Sequence, residues 1–130
     1  MKIAVIDYGL GNLHSVLKAL NKVAEKQEIF LATQKEQIKA ADKIVLPGQG
    51  AILACMEALK NLDLIESLKI AAQEKPFLGI CIGPQLMSQK SEENCVVSGL
   101  GLINYETLKD RLLFLAFLAG RSILLADYAR

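Results

Sequence analysis

Phe77-Leu78-Gly79-Ile80-Cys81-Ile82-Gly83-Pro84-Gln85-Leu86 is the stretch on which the reading of this chain turns. Pro76 closes the polar segment before it. Residues 77–82 are then almost wholly apolar, as expected of a central strand buried on both faces. Gly79 and Gly83 stand two residues either side of Cys81, the layout of a nucleophile elbow with Cys in place of Ser. A sharp strand-to-helix turn presses its backbone against neighbouring segments, and glycine is the residue that tolerates that approach. Pro84 suits the first turn of the next helix, where no N–H is needed. The helix start behind Cys81 favours a reactive thiolate. A buried structural cysteine at a Gly-rich strand end is the plainer alternative.

Upstream, the chain alternates strand and helix. Residues 2–7 read as a buried first strand ending in an acid, followed by the loop Tyr8-Gly9-Leu10-Gly11-Asn12. Asn12 is a good N-cap for a helix with Leu13, Val16, Leu17, Leu20 and Val23 on one face. Residues 28–32 are a second strand, 34–40 a short polar helix and 43–46 a third strand, stopped by Pro47-Gly48-Gln49-Gly50. Residues 51–59 and 64–73 are helical, parted near Asn61-Leu62-Asp63. Such alternation predicts an α/β fold, a parallel sheet with helices on both faces. Ligands bind beyond the carboxyl ends of such strands, where residues 8–12, 47–50 and 81–84 converge.

Composition narrows the function classes. A chain of 130 residues with Lys+Arg 15 against Asp+Glu 14 is one near-neutral domain, without the charge of a nucleic-acid or membrane surface. Its three cysteines, Cys55, Cys81 and Cys95, have no metal-ligand spacing and fit a reducing, cytoplasmic setting. The N-terminus is strand-like rather than a signal peptide. The longest apolar block, residues 112–119, falls short of the roughly 20 residues that span a bilayer. Gly9-x-Gly11 lacks the third glycine of a dinucleotide loop, because position 14 is His14. A Gly-rich loop at residues 47–50 can instead turn backbone N–H groups toward an oxyanion, with a second donor from Ile82.

Five motifs in order carry a resemblance: Asp7-Tyr8-Gly9-x-Gly11-Asn12, Leu46-Pro47-Gly48-x-Gly50-Ala51, Gly79-Ile80-Cys81-x-Gly83-x-Gln85-Leu86, Ser91-Glu92-Glu93 and Gly99-Leu100-Gly101-Leu102-Ile103. Over residues 2–103 the chain resembles the class I (triad) glutamine amidotransferases, and among them the glutaminase subunits of imidazole glycerol phosphate synthase, from histidine biosynthesis. That resemblance implies a flavodoxin-like three-layer fold and a cytoplasmic heterodimer with a (β/α)8-barrel cyclase subunit, with no cofactor or metal. It implies L-glutamine as substrate and delivery of ammonia to the cyclase, which uses it on a phosphoribulosyl aminoimidazole-carboxamide intermediate. Cys81 would be the nucleophile. Gly48, Gln49, Gly50 and Ile82 would shape the oxyanion hole, and Gln85 would help hold glutamine.

The chain also departs from that family. Gln49 stands where Val or Ile is usual, and Pro84 where Met is usual. The family draws a histidine and a glutamate from a later segment, as base and orienter for the cysteine. This chain has one histidine, His14, and residues 104–130 match none of the family's motifs. The expectations are a domain complete only to residue 103, truncated or frame-shifted beyond it, and negligible glutaminase activity. His14 reads as a surface residue, and Glu92 and Glu93 as solvated. Residues 107–118 read as a helix. Residues 112–119 and 123–125, apolar without a period that suits a sheet, read as a loosely packed cover that promotes self-association. The alternatives are a non-catalytic fragment that keeps part of a cyclase-binding surface, or an unrelated cysteine hydrolase.

Overall fold

The computed structural model describes residues 1–87, 90–91, 97–102 and 123–125. In chain order the elements are β1 (Lys2–Ile6), α1 (Leu13–Val23), β2 (Glu28–Ala32), α2 (Lys35–Ala40), β3 (Lys43–Leu46), α3 (Ile52–Asn61), α4 (Ile65–Glu74), β4 (Phe77–Ile80) and α5 (Gly83–Met87). Three short strands follow: β5 (Lys90–Ser91), β6 (Val97–Ser98) and β7 (Ile123–Leu125). Strands β2-β1-β3-β4 run parallel, with Ile3 opposite Ile29, Ala4 opposite Ile44 and Leu46 opposite Gly79. Parallel neighbours need crossover connections, and these are right-handed. The chain steps out from β1 to β2 and then back past β1 to β3. That reversal puts α1 on one face and α2 to α4 on the other. The result is the three-layer, flavodoxin-like α/β arrangement expected.

The two faces of the sheet are unequally covered. Ala4, Ile6, Ala32, Ile44, Leu46 and Phe77 pack with Ile38 of α2, Ile52, Cys55 and Leu59 of α3, Leu68 of α4, and Leu86 and Met87 of α5. Across the sheet, among the described residues, Ile3, Val5 and Val45 pack with the apolar stripe of α1, where Leu13, Val16, Leu17 and Leu20 are partly buried, and with Ala24, Ile29, Leu78 and Ile80. β4 shows the consequence. Phe77 and Gly79 are buried, while Leu78 and Ile80 on the other face are half-buried, so the expected burial on both faces holds on one only. An open apolar hollow of about 170 Å³, lined by residues including Leu20, Val45 and Leu78, marks that thinly covered face. Val23, expected in the helix stripe, is 80% exposed at the last residue of α1.

Local chemistry accounts for the element ends. The Asn12 side chain accepts from the Ser15 N–H at 3.2 Å, capping α1. Gln37 accepts from the N–H groups of Thr33 and Gln34 at 2.9 and 3.0 Å, closing the start of α2. The last carbonyls of α2 lack the i+4 partner of a helix interior, although the Ala41 N–H reaches the Ile38 carbonyl at 3.3 Å. Lys75 Nζ donates to the carbonyls of Ile38, Lys39 and Ala41 at 3.0, 2.7 and 2.7 Å, placing a cation at the negative end of the helix dipole. Asp63, at φ 56, turns the chain between α3 and α4 where the break was expected.

Three expectations change on the far side of β4. The strand stops at Ile80 rather than Ile82, because Cys81 and Ile82 already form the turn. Lys90–Ser91 and Val97–Ser98 pair antiparallel, a small hairpin that sequence reading passed over. Ile123–Leu125 does have a sheet position: it pairs antiparallel with β4, Leu124 opposite Gly79. The helix expected at residues 107–118 and the apolar block at 112–119 lie outside the described residues, as do Cys95, Glu92 and Glu93.

Candidate active site

The order reversal beside β1 leaves a crevice at the carboxyl ends of β1, β3 and β4. Three loops meet there, and their glycines record how closely. A Cβ on Gly11 would meet Pro47 Cβ at 3.4 Å and Gly48 N at 3.5 Å, so the first loop lies on the second. A Cβ on Gly48 would meet Tyr8 Oη at 2.9 Å and Ile82 Cβ at 3.0 Å, so the second loop lies against the third. A Cβ on Gly83 would collide with the Leu46 carbonyl.

Cys81 follows the last residue of β4 and takes φ 59, the left-handed region that a residue with a side chain rarely adopts. The turn leaves Cys81 exposed at the crevice, while Cys55 is fully buried. Gly83, directly beneath, is buried and begins α5, and the Leu86 N–H bonds the Ile82 carbonyl at 3.0 Å. This strand–turn–helix is an elbow in backbone conformation as well as in spacing. Ile82 is half-buried at the turn, and Gln85 is half-buried on α5, four residues from Cys81. Pro47 and Gly48 are buried. Gln49 and Gly50 are exposed, and Gly50 takes φ 86, a conformation glycine adopts at no steric cost.

Two residues of this region were not singled out from the sequence. The Tyr8 hydroxyl, 4% exposed, donates to the Pro47 carbonyl at 2.6 Å. The Cys55 thiol, in the first turn of α3, donates to the Gln49 carbonyl at 3.5 Å. Burial, and then the neighbouring Cys55 thiol, push ionisation of the Tyr8 hydroxyl far above the ordinary phenol range. Tyr8 is therefore a neutral donor at physiological pH. No local pattern could have paired residues 39 apart, since the contact exists only once β1 and β3 are neighbours.

The remaining candidates divide. His14 is exposed on the first turn of α1, as expected of a surface residue. Among the described residues no group of three His, Cys, Asp or Glu could hold a metal ion, and no helix is long and apolar enough to cross a membrane.

Comparison with known proteins fits this geometry. Residues 2–114 match the family described as the CobB/CobQ-like glutamine amidotransferase domain. The chain is 52% identical over 103 residues to the imidazole glycerol phosphate synthase subunit HisH of Chromobacterium violaceum, covering 78% of this chain and 48% of that protein. It is 48% identical over 101 residues to the HisH subunit of Nitrosospira multiformis, covering 78% and 47%. It is 48% identical over 105 residues to that of Neisseria meningitidis serogroup B, covering 78% and 49%. The chain thus spans about half the length of the curated relatives it matches. A cysteine on a left-handed elbow, a Gly-rich loop beside it and a family match over most of its length agree: the chain belongs to the glutamine amidotransferases.

Proposed function

We propose that this chain is the nucleophile-bearing part of a glutaminase subunit of imidazole glycerol phosphate synthase, working in the cytoplasm on L-glutamine beside a (β/α)8-barrel cyclase subunit. The observation that carries the reading is Cys81, exposed at φ 59 between buried Gly79 and Gly83, in a chain 52% identical to a HisH subunit. The Cys81 thiolate attacks the side-chain carbonyl carbon of glutamine. The carbonyl electrons move onto oxygen, and in this reading Gly50 and the backbone at Gln49 and Ile82 shape the hole that receives that oxyanion. Gly48 shapes the same loop, and Gln85 contacts the substrate. Collapse of the intermediate expels ammonia, which takes a proton as it leaves, and forms a glutamyl thioester. Water then releases glutamate and restores the thiol.

The chain's one histidine is exposed on α1, which favours a second reading beside the first. In it, residues 1–103 bind the cyclase in part and release little or no ammonia. Both readings are tested by one experiment with a γ-chloromethyl ketone analogue of glutamine, peptide mapping by mass spectrometry, and titration with the cyclase subunit. The expected label is on Cys81, slowed by free L-glutamine, with buried Cys55 untouched. Faster labelling of Cys55 or Cys95 would exclude Cys81 as the nucleophile. Retention by the cyclase with Cys81 labelled but no ammonia released from L-glutamine selects the non-catalytic reading.

The division at residue 103 has its own test. Deleting residues 105–130 strips β7 from β4 and opens the edge of the strand that carries Cys81. The expected result is a lower Tm and greater self-association by light scattering. A monodisperse product with an unchanged, cooperative transition means that residues 104–130 contribute nothing to the fold.

A further inference from the structure

Tyr8 and Cys55 lie beneath the loop at residues 47–50 and grip alternate carbonyls of it. The Tyr8 hydroxyl holds the Pro47 oxygen at 2.6 Å, and the Cys55 thiol holds the Gln49 oxygen at 3.5 Å. Both side chains are buried, at 4% and 0% exposure. They come from opposite ends of the local architecture, Tyr8 from the end of β1 and Cys55 from α3. The loop is therefore tied to two rigid elements at once.

The consequence follows from peptide geometry. In a trans peptide the C=O and the next N–H point in opposite directions. Holding the Gln49 carbonyl down toward buried Cys55 turns the Gly50 N–H up, away from the core and toward the exposed side of the crevice. Gly50 follows that peptide at φ 86. The hydroxyl that holds Pro47 also sets the height of Gly48 against Ile82, since Tyr8 Oη and Ile82 Cβ are the two atoms nearest a Cβ at Gly48.

We propose that Tyr8 and Cys55 are positioning residues for the oxyanion loop: by anchoring the Pro47 and Gln49 carbonyls they hold the Gly50 N–H in its donor orientation. The proposal rests on the glutaminase reading of the same crevice, and neither residue touches the reacting atoms. Misplacing a donor by about 1 Å costs on the order of 100-fold, so releasing one anchor should cost about 10- to 100-fold in any step that builds an oxyanion.

Two alkylating reagents separate this from a general loss of structure. The γ-chloromethyl ketone analogue of glutamine reacts through addition of the Cys81 thiolate to its carbonyl. That addition forms a tetrahedral alkoxide; sulfur then passes to the methylene as chloride leaves, its bond to the carbonyl carbon breaks and the carbonyl re-forms. Iodoacetamide alkylates the same thiolate by direct displacement of iodide and builds no oxyanion. Tyr8→Phe removes one hydroxyl and keeps the ring, and Cys55→Ala removes the thiol. Each is expected to slow the chloroketone about 10- to 100-fold while the iodoacetamide rate stays within about twofold. Cys55→Ser, which restores a donor to the Gln49 carbonyl, should recover the chloroketone rate. The measurements use the full 130-residue chain, with Tm recorded for every variant. Equal rates in Tyr8→Phe and wild type, or an equal fall with both reagents, overturn the proposal and leave the glutaminase reading standing. A wild-type chain that shows neither preference for the glutamine analogue nor protection by L-glutamine overturns both. Should Tyr8→Phe fail to fold, the Cys55→Ala and Cys55→Ser pair decides alone.

Discussion

Ammonia release from L-glutamine by the 130-residue chain is expected to run about 10²- to 10⁴-fold below that of a full-length glutaminase subunit of this family, assayed with the same cyclase. The elbow that displays the thiol is present, with Cys81 exposed at φ 59. Turnover also needs a group that accepts the thiol proton and returns it to departing ammonia. The sequence holds one histidine, His14, exposed on α1 rather than set against the elbow. Tyr8 cannot substitute. Burial keeps it protonated, and its hydrogen already goes to the Pro47 carbonyl. Asp7 accepts from the Gly9 N–H at 3.2 Å and serves the turn of its own loop. Alkylation of Cys81 and turnover therefore separate, because a single addition needs only a thiolate whereas a cycle needs a proton carried both ways. Turnover equal to the full-length subunit, and lost in Cys81→Ala, would mean that a base reaches Cys81 from a residue not considered above.

How much of this was legible beforehand depended on whether the signal was local. The Asn12 cap and the Leu13, Val16, Leu17, Leu20 stripe follow from helical spacing alone, and both are present. Val23 belongs to the same stripe and is exposed at the last residue of α1, because the stripe says which way a side chain points and not what packs there. Gly79, Cys81 and Gly83 were legible for the same local reason, since a sharp turn demands small flanking residues. The strand was read two residues too long because Ile82 is apolar, and hydropathy does not register a backbone that has already turned. The hairpin of Lys90–Ser91 with Val97–Ser98 is too short to show alternation. Ile123–Leu125 has no period either; its place comes from the free edge of β4, a feature of the assembled sheet. Tyr8 and Cys55 were hidden most completely. Each was visible as a residue type, one beside a Gly-rich loop and one among three cysteines, but their joint task depends on long-range contacts.

Substituting the site's glycines by alanine should produce a graded series with Gly83→Ala at its head. A Cβ at Gly83 would be driven into the Leu46 carbonyl, which is main chain of β3, the strand hydrogen-bonded to β4. No rotamer change can clear it, so either α5 lifts from the sheet or β3 and β4 part. Overpacking of this kind costs about 1–3 kcal/mol and more where backbone must move. For a domain near 100 residues that lowers Tm by roughly 4–8 °C per kcal/mol. The same displacement takes Ile82 and Cys81 off the elbow, so labelling of Cys81 by the glutamine analogue should fall even in the molecules that remain folded. Gly48→Ala meets Tyr8 Oη at 2.9 Å and Ile82 Cβ at 3.0 Å, both side-chain atoms that can shift by a few tenths of an ångström. Its effect should be smaller on Tm, while labelling still falls because the anchor on Pro47 is disturbed. Gly50→Ala meets nothing, and its cost is the left-handed backbone, about 1 kcal/mol or slightly more. Thermal melts and labelling rates on the three variants check the order. Should Gly83→Ala melt within a degree or two of the wild type and label at its rate, the close approach of the elbow to Leu46 does not exist in solution.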